Sequence, residues 1–167
     1  MKSVEKKREE TAHNNEDMDI GGPLALWVGL VAIAAVIQLF IFPAVPQASP
    51  LAPVMSYINK LVGYALYVPG VFVLPILAGL WIGSRSGATS SKFDTVAYRA
   101  VLNAIYISVI YLIEVFIFYI VSKTTHTSTA LASVNLAGFA AYVVALPIII
   151  CLVVAPLFAI VSAARRY

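Results

Sequence analysis

Four apolar runs constrain this chain more than any other feature: residues 23–45, 60–83, 99–122 and 135–163. About 20 apolar residues in a helix suffice to cross the hydrocarbon layer of a bilayer. Backbone N–H and C=O groups in lipid must be satisfied within their own segment, so runs of this length are read as helices. Composition agrees. The chain is 61% hydrophobic and 11% charged, with a mean hydropathy of +0.91. A soluble domain carries charge on roughly a quarter of its residues. The expected fold class is an all-α integral membrane protein with four transmembrane helices. Residues 1–22 form a polar tail, and residues 23–167 form one transmembrane domain. The tail and the first apolar run are both too long for a cleaved signal peptide, so the first run reads as a retained helix.

The basic residues predict orientation. Lys2, Lys6, Lys7 and Arg8 precede the first span; Arg85, Lys92 and Arg99 fall between the second and third; Arg165 and Arg166 end the chain. The opposite side has Lys60 and Lys123. Lys and Arg accumulate on the cytoplasmic side, so both termini are expected there, in a cell membrane. Trp27, Trp81 and Tyr98 then fall near the cytoplasmic ends of their spans, with Tyr57 and Tyr119 near the outer ends, as interfacial belts require.

Connecting segments are short. "PAVPQASPLAPVMSYIN" reads as an outer surface loop with at most a short turn of helix. "GSRSGATSSKFDTVAYR" is a cytoplasmic loop with Asp94 placed to cap the third helix. It lacks the Gly-Lys-Ser/Thr ending of a phosphate-binding loop.

Internal similarity suggests a duplication. Residues 36–45 read "VIQLFIFPAV" and 112–121 read "LIEVFIFYIV"; residues 60–68 read "KLVGYALYV" and 135–143 "NLAGFAAYV". The two matches lie at nearly the same offset, 76 and 75 positions. Two tandem helical hairpins follow as the expected architecture. Each has an even number of spans, so the halves run parallel about an axis along the membrane normal.

The duplication aligns Gln38 with Glu114 and Tyr67 with Tyr142. All four are expected in one buried polar layer. An acid facing hydrocarbon costs about 3 kcal/mol on insertion scales, which favours turning Glu114 toward protein. Arg99, Asn103, Tyr106, Ile110 and Glu114 follow three-and-four spacing on one helix face, with Tyr111 beside them. This is the expected supporting stripe. Small residues at Ala137, Ala141 and Ala145, and at Ala25 and Gly29, predict close helix contacts. Pro69, Pro75, Pro147 and Pro156 lie within the second and fourth spans and are expected to shape them.

Several chemistries lack their residues. His13 and His126 lie outside every span, so a histidine pair holding haem between helices is excluded. Cys151 is the only cysteine, ruling out an internal disulfide; within its apolar run it is expected to pack as a small hydrophobe. No His, Cys and carboxylate cluster has metal-ligand spacing. Hence no enzyme activity, cofactor, metal or nucleic-acid partner is expected. The expected partners are the lipid bilayer and other membrane subunits. The functional expectation is a non-catalytic accessory subunit of a larger membrane complex, respiratory or transport-related. The alternative is a small homo-oligomeric proton or cation channel or carrier using Glu114.

Overall fold

The computed structural model describes residues 20–41, 43–44, 50–89, 92–124 and 135–165, with side chains at all of these except 62–68 and 89. All regular structure among them is helical. Helix α1 is Gly21–Ile41, α2 runs through 52–89, α3 is Phe93–Thr124 and α4 is Leu136–Ala164. Four segments are long and apolar enough to cross a membrane: Gly21–Ile41, Pro69–Ala88, Phe93–Thr124 and Leu136–Ala164. The sequence matches at 36–45 and 135–143 extend beyond the described residues only at 42 and 45.

The helix boundaries differ from expectation mainly in α2. Its first helical part is Ala52–Val68; residues 52–59 of it belong to the segment expected as a surface loop, yet they run unbroken into the span. Pro53 falls in the first turn, where a missing N–H costs no helical bond. Asp94 is not the cap of α3. The helix begins at Phe93, so the exposed Asp94 sits inside the first turn, where it still meets the positive end of the helix dipole. Asn135 does cap α4, its side-chain oxygen accepting from the Gly138 N–H at 2.7 Å.

Helices α2 and α4 form the closest pair. Gly79, Gly83 and Gly87 present one bare stripe of α2 to α4. A Cβ on Gly83 would stand 2.6 Å from the Ala155 carbonyl oxygen and 2.9 Å from the Ala159 nitrogen; on Gly87 it would stand 2.8 Å from the Ala159 oxygen. Backbones can approach this closely only where side chains are absent. The facing side of α4 is itself small, with Cys151, Ala155, Ala159 and Ala163 all buried. Cys151 thus packs as a small apolar side chain. Because Gly79 faces Val154 and Gly87 faces Ser162, α2 and α4 run parallel.

The remaining helices complete the bundle around this pair. Along α3, Val96, Ala100, Ala104, Ile107, Tyr111 and Val115 are buried, a spacing that keeps one stripe toward the core. Tyr119 and Tyr111 of α3 meet Phe139 and Val143 of α4 in reverse order, so these two helices are antiparallel. Helix α1 runs antiparallel along α2: Gly22 lies under Trp81, and Gln38 reaches Asn59. Trp27 joins α1 to α3, its ring 4.5 Å from that of Tyr111. This contact sits six residues from the start of α1 and eighteen from the start of α3, about 9 and 27 Å along the axes. Among the described residues, one end of the bundle is therefore built by α2, α3 and α4, with α3 extending about 18 Å past Gly21.

Trp27 corrects the interfacial expectation: it is fully buried. Trp81, Tyr98 and Tyr57 are exposed, 39%, 64% and 64%, in keeping with belt positions. Tyr119 is half-buried and stacked on Phe139 at 4.2 Å.

Candidate functional site

The polar interior begins with two prolines. Val143 lies near the end of the π-helical stretch Phe139–Ala145, and Pro147, with no N–H, cannot give it the donor four residues ahead that the return to α-helical pairing would supply. In the π-helical stretch Pro69–Val73, where carbonyls look five residues ahead, Gly70 faces Pro75. Both prolines are buried. A carbonyl without a partner in a low-dielectric interior is costly, and each finds a side-chain donor instead. The Tyr111 hydroxyl donates to the Val143 oxygen at 2.8 Å, and the Trp27 indole N–H donates to the Gly70 oxygen at 3.2 Å. The two donors stack on one another with 27° between their planes. This chain of contacts, Gly70–Trp27–Tyr111–Val143, ties all four helices.

The expected polar layer is dispersed. Gln38 is buried, and its side-chain amide donates to the Asn59 backbone oxygen at 3.3 Å. Glu114 turns into the protein: both carboxyl oxygens are sealed from the surface and neither has a hydrogen-bond partner. The two side chains occupy different levels. Gln38 lies eleven residues beyond Trp27, whereas Glu114 lies three beyond Tyr111, a difference of about 12 Å along the axis. Tyr142 points outward and is 67% exposed, so it does not join an interior layer. The side chain of Tyr67 lies outside the described residues.

The supporting stripe divides in the same way. Tyr106 is 63% exposed and Ile110 also faces outward, while Arg99 and Asn103 are half-buried. The Asn103 amide donates to the Arg99 backbone oxygen at 2.8 Å, an intrahelical bond. Tyr111, expected beside the stripe, is the residue at the core of the structure. The stripe drifts because its three-and-four steps were centred on a face that rotates about 60° away from the buried one, the angle between positions 111 and 114.

Three features escaped sequence reasoning. Ser108 Oγ and Asn59 Oδ1 are buried without partners. The Gly79, Gly83 and Gly87 stripe was legible as glycine at every fourth position. The small-residue stripes that were singled out lie on the surface instead: Ala25, Ala137, Ala141 and Ala145 are exposed, and a Cβ on Gly29 would meet nothing within 4 Å.

Chemically, this interior offers one unpartnered carboxyl and scattered neutral donors and acceptors. Among the described residues no three His, Cys, Asp or Glu side chains converge. No protein-family model, curated protein or solved structure matches the chain.

Proposed function

We propose that this chain is a non-catalytic subunit of a larger membrane complex, lying in a cell membrane with both termini in the cytoplasm. The carrying observation is the split between its two kinds of small-residue stripe. The glycine and alanine stripes of α2 and α4 are consumed by the bundle itself. The stripe Ala137, Ala141 and Ala145 is left facing outward at the start of α4, with Tyr142 beside it. In lipid, where apolar burial gives helices no reason to associate, small residues of this spacing let a neighbouring helix approach closely. The reading assigns that face to a helix of another subunit.

The same reading takes the chain as two tandem helical hairpins. Its support is the register between α2 and α4. Gly79 and Val154, Gly83 and Phe158, and Gly87 and Ser162 are neighbours, each pair 75 positions apart, which is the offset of the sequence repeat. Equal depth in α2 and α4 suits an axis along the membrane normal, whereas Gln38 of α1 and Glu114 of α3, also paired by the repeat, differ by about 12 Å in depth.

The test is purification of the tagged full chain in mild detergent from its native membrane. Other chains should accompany it in fixed ratio, and Ala141→Leu should reduce their recovery while the bundle stays folded. Recovery of a lone homo-oligomer, unaffected by Ala141→Leu, defeats the proposal.

A second reading, a homo-oligomeric proton or cation channel or carrier, draws support from Glu114, whose carboxyl is buried without a partner. Intramembrane ionisable residues mark ion pathways in many membrane proteins. Loss of proton- or cation-dependent flux in vesicles on Glu114→Gln, with assembly intact, separates this reading from the first.

A further inference from the structure

Glu114 is the only carboxylate side chain in the interior of a span; Asp94 is exposed in the first turn of α3, and the others are at positions 5, 9, 10, 16, 17 and 19. Its two oxygens are enclosed by protein and accept no hydrogen bond. An ionised carboxylate enclosed in this way would have neither water nor a donor to offset its charge, an arrangement that buried ions do not tolerate. What meets it must therefore be small enough to reach a closed site.

Among the described residues, the groups around it do not supply a countercharge. Helix α1 contains no ionisable side chain. On α4 the ionisable groups are Tyr142, which faces outward, and Cys151, two turns further along from the Tyr111 contact at Val143. On α2, Lys60 and Arg85 are exposed, Tyr57 is exposed, and Tyr64 and Tyr67 belong to the side chains not described. On α3 itself, Tyr111 spends its hydroxyl on Val143, Arg99 lies fifteen residues away, and Lys123 lies over the Tyr119 ring nine residues away.

A metal cation fits this arrangement poorly. Hard cations gather several oxygens, six to eight for calcium. The described unpartnered oxygen nearest along α3, Ser108 Oγ, is six residues back and about 120° around the helix. The two cannot converge on one ion. A proton needs a single oxygen.

We propose that Glu114 is a reversible proton-binding site within the bundle. The step is an acid–base exchange: a proton bonds to one carboxyl oxygen when the site closes. It leaves to water as hydronium when helix motion admits solvent, restoring the carboxylate. This goes beyond the subunit reading and stands whether or not other chains copurify.

The test is infrared difference spectroscopy of the full chain in lipid nanodiscs. The expected result is a protonated-carboxyl C=O band at neutral pH that shifts in deuterated water and disappears in a single-proton titration toward alkaline pH. The band should be absent in Glu114→Gln and present at a displaced frequency in Glu114→Asp, which retains an acid if the glutamine variant does not fold. No band in the wild type at neutral pH overturns the proposal. So does a band that neither exchanges with deuterium nor titrates, which marks a sealed packing group.

Discussion

Tyr111→Phe isolates the hydroxyl that closes the interior. The substitution keeps the ring stacked on Trp27 at 4.5 Å and removes the donor to the Val143 oxygen. Because Pro147 supplies no N–H, that carbonyl is left without its α-helical alternative. Side-chain bonds between membrane helices average about 0.6 kcal/mol and reach about 1.7 kcal/mol. An orphaned buried acceptor costs about 1–3 kcal/mol. The expected destabilisation is therefore near the upper end of the membrane range, about 1.5 kcal/mol. Reversible unfolding in mixed micelles measures it. The decisive comparison is a double-mutant cycle with Pro147→Ala, which returns an N–H four residues after Val143. In that background Tyr111→Phe should cost about 0.5 kcal/mol or less, a coupling of about 1 kcal/mol. Equal costs in the two backgrounds would refute the assignment of the Tyr111 bond to a proline-freed carbonyl.

Two other predictions follow from the same contacts. Gly83→Ala places a methyl group against the backbone of Ala155 and Ala159 and should cost about 1–3 kcal/mol, as overpacking does, while Gly29→Ala meets open space and should be neutral or gain up to about 1 kcal/mol from helix propensity. Equal stability of the two variants in the same unfolding assay contradicts the α2–α4 packing. Trp27→Phe retains an aromatic ring but loses the indole donor to Gly70, so hydrogen exchange of amides around Pro69–Val73 should speed up; unchanged exchange there counts against that bond.

The inward turn of Glu114 was legible because a charged acid in hydrocarbon is expensive whatever its neighbours. Gln38 was legible because an amide facing hydrocarbon would go without hydrogen bonds, and its side chain donates to the Asn59 backbone oxygen instead. The shared layer was not legible. Sequence similarity equates positions along two helices, whereas depth depends on how far each helix slides, and the Trp27–Tyr111 stack sets that slide for α1 against α3. Tyr142 went astray because tyrosine, apolar along its ring and polar at its tip, suits an outward face near an interface as well as an interior. The alanine stripes misled for a related reason. Alanine is tolerated both in lipid and at a helix contact, while glycine at every fourth position of α2 has a use chiefly where backbones touch.

By itself the sequence determined that this chain is helical and apolar enough to cross a membrane four times, because segment length and backbone desolvation act on each run separately. The tertiary structure alone decided which faces meet, which carbonyls freed by proline are answered by Trp27 and Tyr111, and that the Glu114 carboxyl is enclosed with no donor. Those outcomes depend on the rotation and slide of one helix against another, to which hydrocarbon is indifferent and which only the close fit of side chains resolves.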